Sequence, residues 1–127
     1  MSGISEKEMD RMVQFLRDKS RKRKKILHSM FMKANRDFDK IVQMIAEKYQ
    51  AKKIYQWGSL LNEEHFNEKS DIDIAVEGLT SAKEFFAILG DAEELTSFPV
   101  DLVEIEKIHP IHAESIKKEG KLIYERK

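Results

Sequence analysis

The chain has 127 residues, in which 23 Lys+Arg balance 23 Asp+Glu, and it contains no cysteine. This length suits one domain, so we expect a single unit over residues 1–127. The absence of cysteine excludes disulfides, thiolate catalysis and cysteine-based zinc sites. No apolar run approaches the ~18 residues of a membrane span, and we expect a soluble, cytoplasmic protein.

The zero net charge is the sum of two opposed halves. Residues 1–50 carry 13 Lys+Arg and 7 Asp+Glu, a net charge of +6, whereas residues 51–127 carry 10 and 16, a net charge of −6. The first half includes the unbroken basic run Arg21–Lys25. Such a run is most often a solvated helix surface, but it can also bind nucleic acid or an acidic partner.

The first half has the apolar spacing of helices. Met9, Met12, Val13 and Leu16 follow the i, i+3, i+4, i+7 pattern, and a second stripe of the same kind covers residues 27–45. Ser5, with Glu8 three residues later in the sequence, predicts the N-terminal cap of the first helix.

The basic run separates the two stripes. One helix over residues 6–49 would be about 66 Å long, which is more than a domain of this size can cover. We therefore expect a bend or break near Ser20. Residues 1–25 would form a basic helical extension, and residues 26–127 would form the core of the domain.

The second half changes to the two-residue period of strands. Its pattern predicts strands at 54–57, 71–76, 100–105 and 122–124, a helix that begins at Ser81, and a helix over 110–119. The resulting order, α-α-β-β-α-β-α-β, indicates an α+β domain in which a small mixed sheet is packed by helices.

Three aspartates lie where strands normally exclude them. Asp71 and Asp73 alternate with isoleucines, and Asp101 lies in a later apolar run. Alternation puts Asp71 and Asp73 on one face, and a neighbouring strand would add Asp101. Such carboxylates repel unless a cation neutralises them, and oxygen-only ligands favour Mg²⁺ or Mn²⁺. The alternative is that they line the solvated face of a sheet.

A Gly-Ser pair follows the first predicted strand. Gly58 permits close approach of the backbone, so Gly58 and Ser59 together can offer N–H groups and a hydroxyl to a phosphate. Taken alone, such a pair is an ordinary turn. Eleven residues separate Ser59 from Asp71.

Taken together, these motifs resemble those of a known family. The segments Trp57-Gly58-Ser59-Leu60, Ser70-Asp71-Ile72-Asp73 and Phe98-Pro99-Val100-Asp101 are similar to those of the nucleotidyltransferase superfamily related to DNA polymerase beta, in particular its minimal nucleotidyltransferases. The resemblance covers roughly residues 40–124 and implies a polymerase beta palm-like fold. It departs at Leu61-Asn62-Glu63, where family members frequently have a small residue, an Arg and a Gly.

The resemblance implies an activity and roles for five residues. Members transfer a nucleoside monophosphate, here expected to be AMP from ATP, to a hydroxyl with release of pyrophosphate. Asp71, Asp73 and Asp101 would be catalytic and bind two Mg²⁺ ions (Mn²⁺ being possible), with Asp101 as general base. Gly58 and Ser59 would bind the nucleotide phosphates.

The resemblance also implies a partner. The smallest members often act as antitoxins that pair with helical toxins of the HEPN family, in some cases by adenylylating a tyrosine of the toxin. Two alternatives stay open on the sequence alone. One is a catalytically idle antitoxin that binds its toxin through helices, and the other is a basic-helix protein that binds nucleic acid through Arg21–Lys25.

Overall fold

The computed structural model describes residues 3–127; Met1 and Ser2 lie outside the described residues. Within that span no helix combines the length and apolarity that crossing a membrane requires. The helices and strands of the described chain are α1 Glu6–Lys48, β1 Lys53–Trp57, β2 Ile72–Glu77, α2 Ala82–Glu94, β3 Val100–Glu104, α3 Pro110–Glu119 and β4 Lys121–Glu125.

The strands form one mixed sheet in the order β3-β2-β1-β4. β1 pairs antiparallel with β2 and with β4, whereas β2 and β3 are parallel. A parallel pair needs a crossover between its strands, and here α2 supplies it. The prediction of an α+β fold with a mixed sheet is confirmed, and β4 and β3 lie at the two edges of the sheet.

The two faces of the sheet are covered unequally. On one face, strand residues such as Ile54 and Ile74 pack with Phe38, Ile41 and Ile45 of α1 in the main core. On the opposite face, Tyr55 and Ala75 pack against Ala113 and Ile116 of α3. Because strand side chains alternate, the odd-numbered residues of β2, including Asp73, lie on the α3 face.

The predicted break near Ser20 is wrong, because α1 is continuous over 43 residues. The basic stretch contains neither Pro nor Gly, and Lys and Arg are good helix formers. Asp18 also accepts a hydrogen bond from Gln14 at 3.0 Å along the helix. The helix is not covered over its whole length, because residues 6–22 are nearly all exposed and extend beyond the body of the protein.

α1 first bonds to the body of the protein through its basic stretch. Arg23 Nε donates to Glu68 Oε1 at 3.0 Å, and His28 contacts Glu63 one turn later. Both glutamates belong to the segment between β1 and β2. The first buried residue of α1 is Ala34. Ser5 accepts a hydrogen bond from the Glu8 N–H at 3.1 Å, so the predicted N-cap is confirmed.

The uneven packing of α1 gives a matched test of stability. Ile45 is fully buried, whereas Ile26 is 60% exposed on the same helix. We expect Ile45→Ala to lower the free energy of unfolding by about 2–5 kcal/mol, because it removes buried methyl groups and leaves a cavity. Ile26→Ala should change it by less than about 0.5 kcal/mol. Urea unfolding followed by circular dichroism checks both, and equal losses would contradict this division of the helix.

Candidate active site

Two of the three predicted carboxylates lie side by side. Asp73 and Asp101 are paired positions of the parallel strands β2 and β3, and neighbouring strands are ~4.8 Å apart. Paired positions share a face, so both lie on the face that α3 covers in part. Asp71 comes directly before β2, two residues ahead of Asp73. The expectation that the strand of Asp101 lies beside that of Asp73 is confirmed.

The Asp73 carboxyl is strongly affected by its surroundings. The pKa of Asp73 is raised from 3.8 to about 7, first by burial and then by the negative charges of Asp101 and Asp71. Among residues 3–127, no Lys, Arg or His forms an ion pair with any of the three. The site therefore concentrates negative charge without a protein cation to balance it, which favours a bound cation.

Gly58 connects the first strand to this cluster. Trp57, the last residue of β1, is paired with Asp73, so Gly58 begins next to that carboxylate. Gly58 has φ +78°, and a Cβ at this position would lie 2.0 Å from Asp73 Oδ2. Only glycine can adopt this conformation without strain and allow this approach. The backbone of Gly58 is therefore packed directly against the Asp73 side chain.

Ser59 follows in a single 3₁₀ turn, Gly58–Leu61. Leu60 is buried and anchors the turn in the core, while the Ser59 carbonyl accepts a hydrogen bond from Asn62 N at 3.3 Å. Ser59 itself is half-buried. The turn thus presents Gly58 and Ser59 at the end of β1, beside the aspartates.

The atoms that the three aspartates offer indicate which metal ion the site could bind. The three side chains offer only carboxylate oxygens, the ligands that Mg²⁺ and Mn²⁺ prefer. Within the described chain, no three His, Asp or Glu side chains already surround one point at metal-binding distance. Asp101 is exposed and Asp71 half-buried, so both have room to turn toward Asp73. The donor chemistry and the uncompensated charge fit a divalent ion.

A cavity of ≈ 490 Å³ lies beside the Gly58 turn, between that turn and α3. Trp57 and His112 form one wall, with ring centroids 5.4 Å apart and nearly perpendicular planes. Trp57 Nε1 is the one buried side-chain polar atom, among residues 3–127, that has no hydrogen-bond partner. Polar groups from Asn62, Ser115 and Glu119 also line the cavity.

The sequence analysis missed this cavity. Trp57 offered a signal, because it directly precedes Gly58 in a strand and alternation puts it on the face of the aspartates. His112 and Ser115 offered none, since their position depends on how α3 docks on the sheet. The cavity shares Gly58 with the carboxylate cluster, but none of the three aspartates lines it.

Two solved structures share the fold at low sequence identity. A toxin–antitoxin crystallised with AMP-PNP has 20% identity and a TM-score of 0.59, over 71% of this chain and 74% of that chain. An MntA–HepT toxin–antitoxin has 19% identity and a TM-score of 0.54, over 72% and 73%. No curated protein matches the chain.

A family model gives the wider assignment. The model described as "Polymerase beta, Nucleotidyltransferase" matches residues 39–127, a span that takes in the Gly58 turn and both aspartate strands. The first part of α1 lies outside it. Because the match covers most of the chain and includes the whole candidate site, the chain belongs to the polymerase beta nucleotidyltransferase family.

Proposed function

We propose that this chain transfers AMP from ATP to a hydroxyl acceptor, with Mg²⁺ as cofactor and release of pyrophosphate. One observation carries the proposal: Asp73 and Asp101 lie at paired positions of β2 and β3, with the Gly58 backbone packed against Asp73. Mn²⁺ would suit the same oxygen ligands.

The proposed roles are those that the family resemblance implies, and the position and exposure of the residues support them. Asp71, Asp73 and Asp101 would hold two Mg²⁺ ions, whose charge, when they are bound, stabilises the attacking and leaving oxygens. Asp101, the most exposed of the three, accepts the proton of the acceptor hydroxyl. The hydroxyl oxygen then bonds to the α-phosphorus as the bond to pyrophosphate breaks. The N–H groups of Gly58 and Ser59, with the Ser59 hydroxyl, bind the β- and γ-phosphates.

The cavity beside Gly58 is the proposed site of the nucleobase. Its Trp57 and His112 rings offer apolar surface, and Asn62, Ser115 and Glu119 offer donors and acceptors to the edge of a base. Gly58 lines this cavity and also lies against Asp73. A nucleotide whose phosphates contact the Gly58 turn can therefore place its base in the cavity and its α-phosphate near the aspartates.

The acceptor is proposed to lie on a protein partner. The solved toxin–antitoxin structures with this fold, one of them crystallised with AMP-PNP, support ATP as donor and an antitoxin role. A helical toxin of the HEPN type, carrying an accessible hydroxyl side chain, is the partner we propose.

Transfer can be measured with α-labelled ATP, Mg²⁺ and a partner co-expressed from the neighbouring gene. We expect the wild-type chain to label the partner, and Asp73→Asn to reduce labelling by at least about 100-fold, because a ligand of the reacting phosphate's metal is lost. Asp39→Asn is the matched control, since Asp39 is exposed on α1. Undiminished labelling by Asp73→Asn would refute the assigned site. If the wild-type chain labels nothing but still suppresses the toxicity of the partner, the result would favour the alternative of a catalytically idle antitoxin.

The raised pKa of Asp73 predicts how stability depends on pH. Its folded pKa of about 7 lies above the ordinary 3.8, so the folded state binds this proton more tightly than the unfolded state does. The free energy of unfolding therefore falls as pH rises from ~4 through ~7. At pH 8 without metal, Asp73→Asn should be more stable than wild type by about 1–2 kcal/mol, after allowance for partial exposure.

This gain should shrink as the pH is lowered toward 5, where Asp73 is protonated. Mg²⁺ at pH 8 should stabilise the wild type more than Asp73→Asn, because it neutralises the same repulsion. Thermal unfolding of both proteins across pH 5–8 checks these expectations. An Asp73→Asn variant as stable as wild type at every pH would contradict them.

The nucleobase site has a built-in reporter, because Trp57 is the single tryptophan of the chain. We expect Mg²⁺–ATP to change its fluorescence and inorganic tripolyphosphate, which lacks a base, to leave it nearly unchanged. Glu119→Gln should weaken ATP binding by up to about 10-fold through a lost charged hydrogen bond. Glu114→Gln, on the same helix but outside the cavity, should bind like wild type. Equal responses to ATP and tripolyphosphate would exclude the cavity while leaving the transfer reaction open.

A further inference from the structure

The first part of α1 stands clear of the body of the protein. Within the described chain, Arg23 is the first residue along α1 whose side chain bonds to the body. Residues 6–22 therefore project as a helix about 25 Å long. We call this segment the overhang. Nearly every residue in it is exposed, and unsupported helices of this length are only marginally stable in water.

The overhang carries an apolar stripe on one side. The stripe consists of Met9, Met12, Val13 and Leu16, which are 54%, 52%, 40% and 59% exposed. Further along α1, the stripe leads from Met9 to Leu16, then to Leu27 and to Ala34, at intervals of seven, eleven and seven residues. Ala34 is buried in the core. These intervals are close to whole turns. The stripe therefore continues the face that packs on the sheet, but beyond the end of the sheet.

We propose that a second copy of this chain covers the stripe, with the two overhangs packed antiparallel. We align the two overhangs so that the numbers of any two facing residues add up to 25. Met9 then faces Leu16 of the second copy, and Met12 faces its Val13. The stripe is thus complementary to itself. In the same register Glu6, the first residue of the helix, lies level with residue 19 of the second copy, so each overhang stops just short of Arg23, where the body of the other copy begins.

The charges of the overhang favour this direction. On a helical wheel, Glu6 and Arg17 flank one edge of the stripe, and Glu8 and Lys19 flank the other. Antiparallel packing brings each edge against the same edge of the second copy. Glu6 then meets Arg17 of the second copy, and Glu8 meets its Lys19. A parallel pair would instead set the basic run 21–25 against itself, which is unfavourable.

The first experiment measures the mass of the full chain by light scattering and sedimentation over a range of concentrations. We expect a reversible dimer, and Leu16→Glu should raise its dissociation constant by at least about 10-fold. Gln14→Glu, on the opposite side of the same overhang, is the matched control and should dimerise like wild type. A wild-type chain that stays monomeric at about 200 µM, or one that dimerises only after a partner protein or an RNA is added, overturns the proposal.

The second experiment tests direction and register. Since the chain has no cysteine, single cysteines can be introduced and oxidised. Val13→Cys, next to the symmetry axis, should cross-link to itself, whereas Gln14→Cys on the far side should not. Met9→Cys should cross-link to Leu16→Cys but not to another Met9→Cys. Self-linking at Met9 would show a parallel pair and refute the proposed register.

Charge exchange supplies a further control. Reversing Glu6 and Glu8 to lysine should weaken the dimer by at least about 10-fold at low salt. Adding Arg17→Glu and Lys19→Glu to the same chain should restore it, because each pair is then re-formed with opposite signs. All these positions are exposed on a helix, so circular dichroism should show folded proteins throughout. Failure of the restored chain to dimerise, with its helix content intact, would contradict the charge pairing.

Discussion

The parallel pairing of β2 with β3 is the constraint on which the site depends. It sets Asp73 level with Asp101, and it requires a crossover that returns the chain to the same edge of the sheet. α2 makes that crossover and buries Ile88 against the core face. The opposite face is left partly open, so the carboxylates lie on a rigid sheet and still face solvent.

The same pairing has an energetic cost. Burial of Asp73, together with repulsion from the acidic side chain on the adjacent strand, raises its pKa to about 7. A protein selected for stability alone would pair such residues with a Lys or Arg. The close approach of Gly58 tightens the arrangement further, since a residue with a side chain there would collide with Asp73. Buried and uncompensated negative charge concentrated at one point of an otherwise regular sheet is typical of a site that has a function.

Local patterns were sufficient to predict the strands and their aspartates. These features depend only on residues two to four positions apart in the chain. They include the alternation around Asp71 and Asp73 and the serines at the starts of two helices, Ser5 and Ser81, and the structure contains them. The long α1 was mispredicted for a different reason. The argument for a break near Ser20 assumed that a helix must be covered over its whole length, whereas residues 6–22 are not.

The cavity could not have been predicted because it depends on tertiary contacts. Trp57 and His112 are 55 residues apart and meet only when α3 docks on the sheet. No sequence pattern predicts the contact between these two side chains. Sequence reasoning thus identified the residues proposed for chemistry, which lie in short motifs, and missed those that surround them.

The continuity of α1 has a consequence for how distance is controlled. α1 is anchored in the core by Phe38, Ile41 and Ile45, and once a contact on the overhang stabilises its first turns, the whole helix acts as one rigid rod. Whatever contacts its first turns is held at a fixed separation from Asp73, a separation set by the number of residues rather than by any loop. A contact made by the overhang and the carboxylate site can therefore lie tens of ångströms apart on one small protein. Inserting or deleting residues in the overhang would change their relative position by 1.5 Å and 100° per residue.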